Sequence, residues 1–226
     1  MYKYDMHVHA SGCSLCALRT PAEMARACRD AGLAGMVLTD HFLNGYTGVD
    51  RTLPWEQKIR RYLQSYEEAR EEGEKWGIDV LFGYEYAYGG GMEVLTYGVT
   101  GDFLLQNPDL CDIRLEEYAR RVHAAGGYLS QAHPFRQRPY IDGSVKPCPG
   151  LLDGAEVVNG GNDPAWDAEA LDFARRHGLG HTAGSDAHDL PAVGRAGILS
   201  PRRLRTDSDL LELLRQGGYR TFRRPV

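Results

Sequence analysis

A chain of 226 residues, 42% of them hydrophobic, carries enough apolar side chain for a packed core, and no composition shift or Pro/Gly/Ser-rich linker divides it, so a single domain over residues 1–226 is expected. The formal charge of −5 argues against a surface built to hold a nucleic-acid backbone, and no stretch approaches the ~20 apolar residues of a membrane span. Five irregularly spaced cysteines (Cys13, Cys16, Cys28, Cys111, Cys148) and the lack of a charged-then-apolar leader fit a reducing, cytoplasmic setting better than a disulfide framework.

The chain opens on a strand, Lys3 to His9, in which His7 and His9 are two apart and therefore share a face. A glycine- and cysteine-bearing loop follows to Arg19. Thr20-Pro21-Ala22-Glu23 then supplies an N-cap hydroxyl, a proline at the first helical position and a capping-box glutamate for a helix to Ala31. Gly35 to Thr39 is a short apolar run, suited to a parallel strand buried on both faces, with Asp40 and His41 just beyond its end. Asn44 to Leu53 reads as loop. From Trp55 the apolar positions Ile59, Tyr62, Leu63, Tyr66 and Ala69 recur at helical spacing, predicting a long amphipathic helix that ends near Gly77.

Val80 to Glu85 is the next strand, closing on a carboxylate, and after a turn at Gly89-Gly90-Gly91 the segment Glu93 to Val99 returns as another. A helix from Leu115 to Ala125 precedes the strand Tyr128 to Ala132, which leads into His133. The loop from Pro134 to Gly150 carries Arg136, Arg138 and Lys146; it is long for a compact domain and starts beside a candidate ligand. A strand at Ala155–Val158 ends at Asn159, and a helix capped by Asp163-Pro164 runs to His177. His181 to Gly184 leads into Ser185-Asp186-Ala187-His188, and a strand (Ala196–Leu199), a helix (Asp209–Gln216) and a strand (Tyr219–Phe222) follow.

Strand and helix thus alternate about seven times, which points to an α/β fold with a parallel sheet, closed or open. His41, Glu85, His133, Asp186 and His188 lie at or just past the C-terminal end of a strand, the rim on which parallel barrels build active sites. The set His7, His9, His41, Glu85, His133, Asp186 and His188, with Glu93 as a further candidate, is too large for one divalent ion that keeps a position open to water. It suits two or three, and a carboxylate such as Glu85 can bridge a pair. Mixed imidazole and carboxylate favours Zn, Fe or Mn over Ca.

In order and spacing, His7-Val8-His9, Thr39-Asp40-His41, Glu85, His133-Pro134 and Gly184-Ser185-Asp186-Ala187-His188 resemble the motifs of the PHP (polymerase and histidinol phosphatase) family, from about Tyr4 to Gly197. The resemblance implies a distorted seven-stranded β/α barrel of the TIM-like kind and a trinuclear site that hydrolyses phosphoesters. Carried over, His7, His9, Glu85 and Asp186 would hold one metal, Glu85 would bridge to a second that His133 also binds, and His41 and His188 would hold a third. Glu93 falls where family members often have a histidine, and is either a ligand or a solvated strand residue. Gly12 falls where many relatives have a ligating aspartate; Cys13 or Cys16 substitutes as a thiolate, or is a small buried cysteine.

The reading that follows is metal-assisted hydrolysis of a small phosphomonoester or phosphodiester by a hydroxide bridging metals at Glu85, with Glu85, Arg136 and Asp186 as its catalytic set. Arg136 either offers its planar fork to a phosphate or forms a surface ion pair; Arg195 is a weaker candidate of the same type. Asp5 and Asp40 are expected to orient imidazoles. Asn159 lines the rim or caps a turn, while His123, His177 and His181 read as structural. The rivals are a non-catalytic or regulatory module with an incomplete metal site, a hydrolase of C–N or carboxylic ester bonds, and a phosphatase acting on protein tyrosines. The partner is a small phosphorylated substrate, with no membrane and no stable nucleic-acid complex.

Overall fold

The computed structural model describes residues 1–224; Pro225 and Val226, the last two of the expected domain, lie outside the described residues. β1 (Tyr2–Val8) is followed by α1 (Pro21–Asp30), β2 (Gly35–Leu38) and α2 (Trp55–Trp76). The Thr20/Glu23 capping box starts α1 as the sequence predicts, and Gly77, left-handed at φ 70°, ends α2. Then come β3 (Asp79–Gly89), β4 (Met92–Tyr97), α3 (Gly101–Gln106), α4 (Leu115–Ala124) and β5 (Tyr128–Gln131). β6 (Gly154–Asn159), α5 (Pro164–His177), β7 (Gly180–Gly184), β8 (Ala196–Ser200), α6 (Asp207–Gln216) and β9 (Arg220–Arg223) complete the order.

The nine strands form one sheet in the order β7-β6-β5-β4-β3-β2-β1-β8-β9. β1, β2 and β3 are parallel, as are β5, β6 and β7. The expected all-parallel sheet is corrected at three places: β4 runs antiparallel to both neighbours, and β8 and β9 extend the β1 edge as antiparallel strands. Gly90 and Gly91, both at positive φ, make the tight turn that forces β3 and β4 into a hairpin. Because β4 is reversed, its first residues, not its last, stand at the mouth of the barrel. Glu93 reaches the mouth for that reason.

The sheet curls into a nearly closed barrel. The seam is drawn between β1 and the end of β7, where Asp186 N donates to His7 O at 2.8 Å and His9 N to Ala187 O at 2.9 Å. Gly184 permits this approach, since a Cβ there would sit 2.3 Å from the Cβ of His7. α6 covers the opposite end: its Leu210, Leu213 and Leu214 share a buried cluster with Leu81, Leu95, Tyr97 and Tyr128, and its Arg215 donates to Gly126 O before β5. α6 starts two residues earlier than expected because Thr206 and Asp209 form a second capping box, and the six-residue α3 was too short to show a period. Among the described residues no helix is long and apolar enough to cross a membrane.

Candidate metal centre

Alternation along β1 turns both imidazoles inward, and the His7 and His9 Nε2 atoms stand 2.9 Å apart with both residues fully buried. Glu85 enters from β3. Its Oε1 lies 2.9 Å from His133 Nε2 and 3.3 Å from His7 Nε2, and its Oε2 lies 2.9 Å from His41 Nδ1. Asp186 Oδ1 is 3.2 Å from His9 Nε2 and 3.4 Å from His7 Nε2. The His188 ring stacks on that of His9 with centroids 4.3 Å apart. Glu93 faces inward, 3.3 Å from His41 Nδ1 and 3.5 Å from His133 Nε2.

All eight side chains singled out as ligands therefore meet. They form four overlapping triads whose donor atoms lie within 4.8 Å of one another: His7/His9/Glu85, His7/His133/Asp186, His41/Glu85/Glu93 and His9/His41/His188. Two of these residues sit on strained backbone, His133 at φ 26° and Asp186 at φ 55°. Such non-glycine conformations cost of order ~1–3 kcal/mol each and persist only where the surroundings hold them. Here the His133 amide is fixed by Glu156 Oε2 at 2.9 Å, and that of Asp186 by the seam bond to His7.

Behind the donors stands a set of orienting groups. Asp40 accepts from Ser14 Oγ and Ala10 N, both at 2.7 Å, and from Ser65 Oγ at 2.6 Å; Ser14 Oγ in turn sits 3.2 Å from His9 Nδ1. Asp40 thus acts on an imidazole through a serine. Asp5 instead fixes backbone, accepting from the amides of Ser185, Gly194 and His7, and so shapes the loop that carries Asp186. Burial pushes its carboxyl up to about 6 despite those bonds. The residue that sequence reasoning missed is Glu156, fully buried on β6, whose Oε1 lies 3.0 Å from His7 Nδ1. A lone acid inside an otherwise apolar parallel strand was the available signal.

Arg136 is neither on the surface nor free. Its Nη2 lies 2.7 Å from Asp186 Oδ2 and 2.9 Å from Asn159 Oδ1, and its Nε donates to Asn162 Oδ1 at 2.7 Å. Asn159 links this arginine to Glu156, to which its amide donates at 2.8 Å. Arg195 is half-buried, and its Nε donates to Pro191 O at 3.1 Å. His123 pairs with Asp153 at 2.9 Å, His177 packs on Phe173, and His181 sits on β7; the donor triads contain none of the three.

Burial opposes charge throughout the cluster, yet the neighbours override it at His7, Glu85 and Asp186. Glu156, Asp186 and Glu85 raise His7 well above the ordinary histidine value, and His7 with His41 holds Glu85 well below the usual carboxylate range. His7 and Arg136 do the same for Asp186, whereas burial, His188 and His41 push His9 down. Imidazoles this close cannot all carry protons. Moreover, His41 Nδ1 and Glu85 Oε2 are buried without a hydrogen-bond partner among the described residues, although only 2.9 Å apart. Convergent, orphaned nitrogen and oxygen donors of this kind fit divalent cations. The cluster opens to a cavity of about 500 Å³ whose rim includes Tyr46, Arg136 and Tyr140.

Comparison with solved structures places this barrel. A two-domain protein from Bacteroides vulgatus, described as containing a predicted PHP-like metal-dependent phosphoesterase, superposes with a TM-score of 0.75 at 17% identity over 99% of this chain, which spans 65% of that protein's length. A protein from Bifidobacterium adolescentis, described as a candidate metal-dependent phosphoesterase, gives a TM-score of 0.57 at 19% identity over 95% of this chain and 96% of its own. An amidohydrolase from Chromobacterium violaceum, with bound sulfate and no metal, gives 0.63 at 18% identity over 97% of each chain. Residues 164–219 match the PHP-associated family. No curated protein matches significantly.

The fold is accordingly the nearly closed α/β barrel that these structures share. The carboxy-terminal match spans residues 164–219, about a quarter of the chain, and lies outside β1, β2, β3 and β5, whose motifs carry the resemblance to the PHP family.

Proposed function

We propose that the chain is a metal-dependent phosphoesterase that hydrolyses a small phosphomonoester or phosphodiester, with His7, His9, His41, Glu85, Glu93, His133, Asp186 and His188 holding two or three ions of Zn, Fe or Mn. The observation that carries this reading is the four overlapping donor triads at the base of one cavity of about 500 Å³. Bound divalent cations would acidify a water and neutralise charge on phosphoryl oxygens.

The chain's own residues do the rest. Glu85 turns one oxygen toward His133 and the other toward His41, so it is the group placed to join two positions. Arg136 keeps Asp186 ionised, and its Nη1, unpartnered among the described residues, is the group we assign to balancing charge on the substrate. The cavity suits a small phosphorylated partner, and the five free cysteines support a cytoplasmic setting.

Similarity to the Chromobacterium violaceum amidohydrolase favours a second reading, attack at a carbonyl carbon. The metal-loaded protein, assayed against p-nitrophenyl phosphate, bis-p-nitrophenyl phosphate, lactones and amides, separates them. Phosphoester turnover that falls at least ~10³-fold in Glu85→Ala, together with metal content, is expected. Turnover of carbonyl substrates alone, or an active Glu85→Ala, overturns the proposal.

A further inference from the structure

We propose that Cys16 is a thiolate ligand of the cation held by His41 and His188, making that position selective for a thiophilic ion such as zinc. The inference rests on the metal-centre reading above.

Charge balance is the first argument. The triad His9/His41/His188 offers three imidazole nitrogens and no carboxylate, unlike the other three triads, so a dication there would lack an anionic ligand from the triad itself. The side chain that stands against it is a cysteine. Cys16 lines the same cavity as His41 and His188.

The loop holds Cys16 in place from both sides. Leu15 N donates to Tyr46 O, Ala17 N to Ser14 O, and Leu18 N to the carbonyl of His188 itself, at 2.8 Å. The neighbouring cysteine does different work: Cys13 is 1% exposed and donates to Tyr62 O at 3.2 Å, within the core cluster of Phe42 and Tyr62. Cys28 is buried with α1, and Cys148 is exposed in the loop before β6. On binding, the Cys16 S–H bond breaks, its proton leaves to solvent, and a sulfur–metal bond forms. A soft sulfur beside imidazoles selects zinc over manganese or magnesium.

The test uses the full chain, stripped of metal and titrated with Co(II), with bound ions counted by atomic emission. Wild type is expected to show a near-ultraviolet sulfur-to-cobalt charge-transfer band. Cys13→Ser should keep the band; Cys16→Ser should lose it and weaken one bound equivalent ~10–100-fold. Cys16→Asp should retain that equivalent without the band. Zinc should shield Cys16, but not Cys148, from iodoacetamide. Cobalt bound without a sulfur band, or a band that survives Cys16→Ser, overturns the inference while leaving the metal centre intact; no cobalt bound at all overturns both.

Discussion

The two ends of the barrel are built on opposite principles. At the floor, Asp79 accepts from the Tyr4 hydroxyl at 2.9 Å and from Arg203 Nε at 2.7 Å, and the leucines of α6 close the space above. These polar groups find their partners within the chain. At the mouth, eight imidazoles and carboxylates converge with two of their buried atoms orphaned, on backbone that is strained at His133 and Asp186. The floor is complete as folded, and the mouth is arranged around something the chain does not supply. That contrast, rather than the number of histidines, is the ground on which we propose the mouth as the working end.

The largest effect that sharpens this contrast is expected at Glu156. Glu156→Gln keeps the shape, but it removes the negative charge behind His7 and turns one of two accepting oxygens into an amide donor; it should weaken metal binding ~10–100-fold with a parallel loss of turnover, measured by metal titration and steady-state kinetics. Its circular dichroism should be unchanged. At the floor, Asp79→Ala removes the carboxylate shared by the Tyr4 hydroxyl and Arg203, and should cost about 1–3 kcal/mol in urea unfolding with turnover per folded molecule unaltered. A fall in turnover without a fall in stability would break the division between the ends.

The smallest effect concerns pH. Burial and Arg175 lower His181 from the ordinary value of 6.5, so the folded state binds its proton less readily than the unfolded chain. Its contribution to stability is therefore full above pH 6.5 and is lost as pH falls through the folded value. His181→Gln should flatten that part of the stability profile of the metal-loaded protein, and an unchanged slope would remove His181 from the account.

What the sequence made legible follows from what each signal encodes. Metal donors are chemically distinctive, and apolar runs such as Gly35–Thr39 mark where a strand ends, so His41, His133 and Asp186 could be placed at one rim before any coordinates. Strand direction is not written in such a run. β4 was read as a strand, but its reversal depends on the left-handed turn at Gly90-Gly91, and the inward aim of Glu93 follows from that turn alone. Glu156 stays hidden because a short apolar strand shows that its carboxylate is buried but not which imidazole it meets. The setting of Arg136 depends on Asn159, Asn162 and Asp186, which reach it across 23, 26 and 50 residues, beyond any local pattern.

The most direct test is anomalous diffraction from crystals of the metal-loaded protein, recorded at the zinc, iron and manganese edges. The account predicts two or three peaks among His7, His9, His41, Glu85, Glu93, His133, Asp186 and His188, with Glu85 between two of them. Crystals that take up no ion there, with the His133 or His188 imidazole turned away from His7 and His9, would contradict it.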